Sequence, residues 1–492
     1  VKVLHVTTSL KMAADAPEAP VTGGKRAAAA LFLFTIWQSF LTSGIVYGWT
    51  PLLIVLKKEG VYRHRCPLET EDCNERDVAL NLMFTIGSIS MIFGGVLAGP
   101  FPFPKIGLAF GGLLVSIGSL TMALADASSD FAYPFAYVCM GAGGGIIHFG
   151  SFSIGNIFGP YRGYIMSGLA GIMGFSSLVF QIVYPIYMAG ASREGIFLVH
   201  ACLVLLNACG SLWLWPIHPF RSGDSVSFKN GRMVVPPIGP INPSAPAQPR
   251  AKASWRAIYE AGLSKPFLSL CFFLTCQMWF SRCLMGMFSE ELEWKNEQLE
   301  EQGSKLDVDM HLTFFNMSQA MLGSTMIPIF GMLVARFGHR GCPIFATGVL
   351  ALVWNICLMI PAEWPLYVLY FFAAWHRQFF QSTFMTFITT EYAPEHVVHS
   401  LASSLSSTIR IYGALLPFIN IVSGGIVALQ NPVLAYTLHG LEGNFYPLLT
   451  FTLVLGGLLT MTAGMVFLHE TRRKAALEEK IDEQNNAANE EK

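Results

Sequence analysis

Charge is scarce in this chain. Of its 492 residues, 13% are Asp, Glu, Lys or Arg and 53% are hydrophobic, against about 25% charged in an ordinary soluble domain. That excludes a conventional soluble globular protein. The 31 Lys and Arg nearly cancel the 32 Asp and Glu, leaving a net charge of -1, so nothing resembles the dense basic patch that nucleic-acid binding requires. Ten cysteines are too few for a disulfide scaffold. No Cys or His spacing matches a zinc site, and no GxxxxGK[ST] loop is present, which disfavours ATP-driven work. A nucleophile, a base and an orienter cannot be assembled from the spacing, so an enzyme is the least supported class. No metal or cofactor is expected.

What the sequence has in abundance is long apolar blocks. Lipid offers no partner to an unpaired backbone amide, so each crossing must be a helix of about 20 apolar residues. Such blocks fall near 29–56, 77–99, 106–126, 131–157, 163–188 and 195–217, then near 265–289, 311–335, 342–361, 364–390, 398–428 and 444–468. They predict an all-α membrane protein with twelve transmembrane helices in two six-helix bundles. The divisions are 1–28, an inner N-terminal segment; 29–217, the first bundle; 218–264, a linker; 265–468, the second bundle; and 469–492, a polar tail. The linker is dense in Pro and Gly, which resist helix and sheet and favour an extended chain.

Lys2, Lys11, Lys25, Arg26, Lys105, Arg162, the Arg221–Lys265 set, Arg336 and Arg340 all fall on one side. By the positive-inside bias that side, with both termini, is cytoplasmic. The largest basic group on the other side, Lys57 to Arg76, is offset by Glu59, Glu69, Glu71, Asp72 and Glu75. No cleavable signal is visible in the first 26 residues, so the first span is expected to act as the targeting signal, with the plasma membrane the favoured destination. Val1 opens the chain with Met12 close behind, which gives the expectation that residues 1–11 lie outside the natural product. A shift of 232 positions brings Asp77 onto Asp309, Gly99 onto Gly331 and Pro185 onto Pro417. A repeat of six spans is what a two-bundle carrier requires.

The eighth span ends in GMLVARFGHRG, Gly331 to Gly341. This resembles the loop signature of the major facilitator superfamily, with Gly331 and Gly338 allowing a tight turn and Arg336 and Arg340 supplying inner-face charge. A gating loop and a basic turn that merely sets topology both fit these four residues. Ala335 stands where the family usually has Asp. A narrower resemblance lies in SGIVYGWTPLLIVLKKEGVYRHRCP, Ser43 to Pro67, and in Gly143 to Tyr187, with Asn156, Phe158, Arg162, Ser176 and Ser177. These stretches are similar to the solute carrier 43 group, the sodium-independent large neutral amino acid facilitators, and its protist and fungal relatives. The resemblance implies a carrier working by alternating access on neutral or large amino acids. Gly174 and Phe175 precede the serine pair where relatives commonly have an acidic residue nearby.

Each Asp and Glu falls in a loop, in the tail or at a span edge. Proton-coupled carriers place a carboxylate at membrane depth, so facilitated uniport or exchange is favoured, with His148, His200 and His376 as the remaining titratable groups. Three arginines do enter spans, Arg282, Arg377 and Arg410, with Arg377 and Arg410 nearest mid-depth. A buried cation costs at least about 2.5 kcal/mol there. A substrate carboxylate is a natural counter-ion for the guanidinium fork, while bonds to backbone carbonyls or a wet cavity are the alternative.

Ser43, Tyr47, His148, Ser176, Ser177, Gln277 and Gln381 complete the candidate substrate contacts. For each, packing is as good a reading as contact with a solute, except His148, for which a structural role is the better reading. Gln38 and Gln181 are further mid-span polar groups, Asn316 and Gln319 read as helix glue, and Trp279 and Phe379 are candidate walls of a side-chain pocket. Cys66 and Cys73 share an outer loop and are placed to form a disulfide in an oxidising exterior. The sequon at Asn316 lies inside a span and is not expected to carry glycan. The expected partners are an amino acid substrate and the lipid bilayer. A carrier of monocarboxylates or other organic anions is the rival within the fold, and a non-transporting receptor or scaffold the rival outside it.

Overall fold

The computed structural model describes residues 24–67, 73–98, 103–218, 220, 226–229, 232–234, 265–337, 341–391, 422 and 424–490. Arg410, Gly338 and Arg340 lie outside the described residues, as do residues 1–23. The first half holds α1 (Gly24–Thr42), α2 (Trp49–Lys58), α3 (Asn74–Ala98), α4 (Pro104–Leu124), α5 (Ala132–Ser151), α6 (Arg162–Ser176), α7 (Leu178–Met188) and α8 (Arg193–Leu214). The second holds α9 (Lys265–Glu301), α10 (Val308–Phe337), α11 (Cys342–Met359), α12 (Trp364–Glu391), α13 (Gln430–Ala435) and α14 (Tyr446–Glu490). Among the described residues, seven helical segments are long and apolar enough to cross a membrane: Asn74–Ala98, Pro104–Leu124, Ala132–Phe158, Gly168–Met188, Arg193–Leu214, Cys342–Met359 and Tyr446–Val466.

The packing repeats between the halves. In the first, α3 and α4 both pack on α5, and α4 packs on α8. In the second, α10 and α11 both pack on α12, and α11 packs on α14. These are the same pairings six spans apart. The halves meet where α6 lies along α10 and α12, and where α2 approaches α9.

The run Gly143–Gly145 explains how α5 sits at the centre of its bundle. A Cβ on Gly143 would meet the Gly111 carbonyl, one on Gly144 the Thr42 carbonyl, and one on Gly145 the Met91 carbonyl. Three consecutive residues thus face three different helices at backbone contact, which a side chain would prevent. Span one is broken between α1 and α2 by a 3-10 turn at Ile45–Tyr47. Gly44 and Gly48 flank that turn, and a Cβ on either would strike the backbone at Met173 or Ser177. The break therefore rests directly on α6 and the start of α7.

Two sequence expectations need correction. Within 218–264 a short antiparallel hairpin forms, Ser227–Lys229 against Arg232–Val234, ahead of the Pro-rich stretch, so that part of the linker is not simply extended chain. The helix of span seven also runs beyond the span itself. α9 continues past residue 289 to Glu301, and Glu290 and Glu291 are buried on it rather than solvated in an outer loop.

Candidate functional site

At the helix ends that carry the Cys66–Cys73 loop most buried charge is paired, although Glu291 on α9 is buried with its Oε2 unpartnered. Lys57, at the end of α2, sits 2.8 Å from Asp77 on α3. Burial pulls the Lys57 ammonium down, but Asp77, Glu293 and Glu290 together hold it above its ordinary value. Arg76 donates to the Val61 and Lys57 carbonyls at 2.9 and 2.7 Å. Across the boundary between halves, the Asn81 amide on α3 donates to Glu290 Oε1 at 2.5 Å, and the Ser289 hydroxyl donates to Oε2 at 2.7 Å. Burial and the nearby Asp77 push the Glu290 carboxyl up to about 7, against the pull of Lys57. Farther round, Glu59 accepts from the Tyr187 hydroxyl at 2.7 Å and pairs with Arg193. A disulfide joins Cys66 and Cys73 in the same region.

The centre is different. Tyr47 stands in the break of span one, buried, with a guanidinium from each of two helices of the other half against its ring. Arg282 on α9 has its Cζ 3.7 Å from the ring centroid, and Arg377 on α12 has its Cζ 4.8 Å away. Arg282 Nη2 also donates to the Tyr47 hydroxyl. Arg377 Nη1 and Nη2 and Arg282 Nε are buried without an acceptor. Stacking on an aromatic face is worth about 2 kcal/mol when desolvated, which offsets part of the cost of burial and leaves Arg377 Nη1 and Nη2 and Arg282 Nε unused.

α12 turns one face to the opposite half. Gln381, one helical turn from Arg377, reaches Met173 Sδ on α6 at 3.4 Å, and its Oε1 is buried with no donor. Gln378 lies by Gly174, where a Cβ would come within 3.8 Å of its Oε1. The other face packs within its own half. His376 Nε2 and Gln277 Oε1 are 2.8 Å apart, tying α12 to α9, and Phe379 packs edge-on against Phe330 at 5.3 Å.

Several candidate residues make contacts within the fold. Ser176 Oγ accepts the Gly44 N–H at 2.9 Å, capping the break in span one. Ser177 Oγ donates to the Gly174 carbonyl and Ser43 Oγ to the Ser39 carbonyl, each at 2.7 Å. Gln38 accepts from Ser211 at 3.0 Å. His148 is buried between the Phe149 and Phe152 rings, at 5.0 and 4.9 Å, with Nδ1 unpartnered. His200 is engaged by Ser119 at 2.8 Å and the Leu41 carbonyl at 3.1 Å. Trp279 packs on Phe280 and Phe451, so neither it nor Phe379 is held against Tyr47. Arg336 is exposed, its guanidinium 5.4 Å from the Phe337 ring, and Gly331 lies within α10. Among the described residues no group of three or more His, Cys, Asp or Glu is placed to hold a metal.

Sequence reasoning gave Arg282 the least weight of the three arginines, because it lies off mid-depth on its own span. Its convergence with Arg377 depends on Tyr47, 235 positions away from it, and no local pattern signals that. The buried Glu290 was hidden by its position just beyond the apolar block.

Known proteins share parts of this chain. Human "Large neutral amino acids transporter small subunit 3" (Homo sapiens) is 30% identical over 218 residues, 39% of this chain and 38% of its own length. The Mus musculus protein of the same name is 30% identical over 216 residues, 39% of this chain and 37% of its own length. "Equilibrative nucleobase transporter 1" of Bos taurus is 28% identical over 169 residues, 32% of this chain and 34% of its own length. The chain thus matches less than two fifths of the length of these relatives. The profile of the Major Facilitator Superfamily, in contrast, matches residues 32–417. With its apolar helices packed in two like halves and that profile covering most of its length, the protein is an integral, multi-pass membrane protein that belongs to the Major Facilitator Superfamily.

Proposed function

We propose that the protein is a twelve-helix carrier that moves amino acids across a membrane by alternating access, as a sodium-independent facilitator or exchanger. The observation that carries this reading is Arg377, whose Nη1 and Nη2 are buried and without a partner between the two halves. A carboxylate matches that pair of donors bidentately. One turn along the same face of α12, the orphaned Oε1 of Gln381 is an acceptor for the substrate ammonium. A donor pair and an acceptor at this spacing fit the two ends of an α-amino acid. The relatives named for large neutral amino acids support the same class, and the one named for nucleobases supports a small organic solute more broadly. Arg410 remains a second candidate for the carboxylate, and Gly331, Arg336, Gly338 and Arg340 remain candidates for an inner gating loop.

Outer closure fits the cycle. The Asn81–Glu290 contact joins the halves at their outer ends, beside the Lys57–Asp77 pair of the first half, so a solute at Tyr47 is shielded from that side. The receptor or scaffold alternative gives no reason to retain two unpaired cations at the centre. Purified protein in proteoliposomes, with no sodium or proton gradient, is expected to show saturable uptake and counterflow of radiolabelled amino acids. No saturable uptake of any amino acid overturns the substrate class.

A further inference from the structure

Arg282 is left without a task by that reading. One carboxylate and one ammonium occupy Arg377 and Gln381, yet a second guanidinium lies against the same tyrosine ring, with its Nε buried and unpartnered. No carboxylate among the described residues forms an ion pair with Arg282 or Arg377. Along α9 the nearest acid to Arg282 is Glu290, about 12 Å away by helical rise and already engaged by Asn81 and Ser289. Along α12 the nearest acids to Arg377, Glu363 and Glu391, are about 21 Å away. Among the described residues the centre therefore carries two positive charges and no negative one.

A zwitterion does not balance this site. It brings one carboxylate and one ammonium, so two cations would remain in excess, and in a low-dielectric interior that excess is poorly screened. We propose that the preferred substrate bears a second anionic group received by Arg282, which makes it an acidic amino acid with a side-chain carboxylate rather than a neutral one. This rests on the amino acid reading above and departs from the neutral preference that the sequence resemblance implies. Arg282 is then a specificity-determining residue: Nη2 is fixed by the Tyr47 hydroxyl, and the free Nε edge takes the distal carboxylate. Tyr47 sets the spacing between the two cations by lying against both.

Glutamate and glutamine test this directly, because they differ in charge and hardly in size. Competition against radiolabelled amino acid uptake in proteoliposomes, with succinate and leucine as further competitors, is expected to show glutamate acting at about tenfold lower concentration than glutamine, the worth of one charge-assisted hydrogen-bonded contact. In R282Q the glutamate-to-glutamine ratio should collapse toward one, and in R282K, which retains the charge, it should largely return. Ligand-dependent thermal stabilisation of the wild-type protein gives the same ranking without any variant. Glutamine equal to or better than glutamate, with uptake present, overturns the proposal and leaves the amino acid carrier standing. Succinate binding with no amino acid uptake upholds two-anion recognition and overturns the amino acid reading. No response to any of these solutes overturns both.

Discussion

The outer ends and the centre of this protein treat buried charge in opposite ways. At the outer ends Lys57 has Asp77, Arg193 has Glu59 and two carbonyls, and Glu290 has Asn81 and Ser289. At the centre Arg282 and Arg377 share one tyrosine and have no acid among the described residues. A paired charge has its counter-ion inside the protein and serves to join helices. An unpaired one is complete only when something else arrives. Burial alone does not separate Glu290 from Arg377, since the two are about equally enclosed; the presence of a partner does, with Glu291 Oε2 the exception at the outer ends.

Neutralising the centre is the strongest way to break this contrast. Arg377→Gln should lower uptake by about a hundredfold, the scale expected when one member of a buried charged contact is removed, while the thermal stability of the empty protein holds or rises because an uncompensated cation has gone. Uptake retained in Arg377→Gln, at normal expression and folding, would remove the centre from the comparison altogether. At the outer ends the signs should reverse. Lys57→Met leaves Asp77 without its partner and should destabilise the protein by about 1–3 kcal/mol, seen as a fall in melting temperature, and the double change with Asp77→Leu should recover most of it.

The Glu290 contact adds a pH dependence of known sign. With the outer ends joined, the carboxyl is raised to about 7 by burial first and Asp77 second; once the ends part and water enters, it returns toward the usual carboxylate range of about 4.3. The joined state thus holds the proton more tightly. Closure is most favoured below the open-state value and is progressively lost as pH rises through about 7. Reactivity of a cysteine introduced in the break of span one, beside Tyr47, toward an impermeant thiol reagent should therefore increase from pH 5 to pH 8, and Glu290→Gln should flatten that slope severalfold. A slope unchanged by Glu290→Gln would place the titrating group elsewhere.

The apolar blocks were legible because lipid leaves the backbone no choice but helix, and the repeat was legible because spans two and eight begin alike. The glycine run of α5 was readable as close approach, but not as contact with three helices at once. Arg377 stood out as a cation within an apolar block. Its site did not, because Tyr47, Arg282 and Arg377 come from distant stretches of chain, and in one sequence nothing links them. The acids of α9 were misread for a physical reason. Polarity marks where water begins, and a helix supported by tertiary contacts continues past that point, carrying Glu290 and Glu291 into the packed outer ends.

The serine pair offers the finest division between residues that meet a solute and residues that hold the frame around it. Ser176 resembles a substrate contact by every sequence criterion: it is polar, mid-span and within the stretch that resembles known carriers. In the structure its hydroxyl oxygen accepts from the Gly44 amide, a donor set free because the helix breaks at Tyr47. Ser176→Ala should therefore cost about 1 kcal/mol of stability, the price of one buried amide left unsatisfied, with the ranking of competing solutes unchanged. Ser176→Thr, which retains the hydroxyl, should recover the stability only if the extra methyl fits beside Gly44. A changed solute ranking in Ser176→Ala at unchanged stability would move Ser176 from the frame to the binding site, and with it the boundary between the two kinds of polar group.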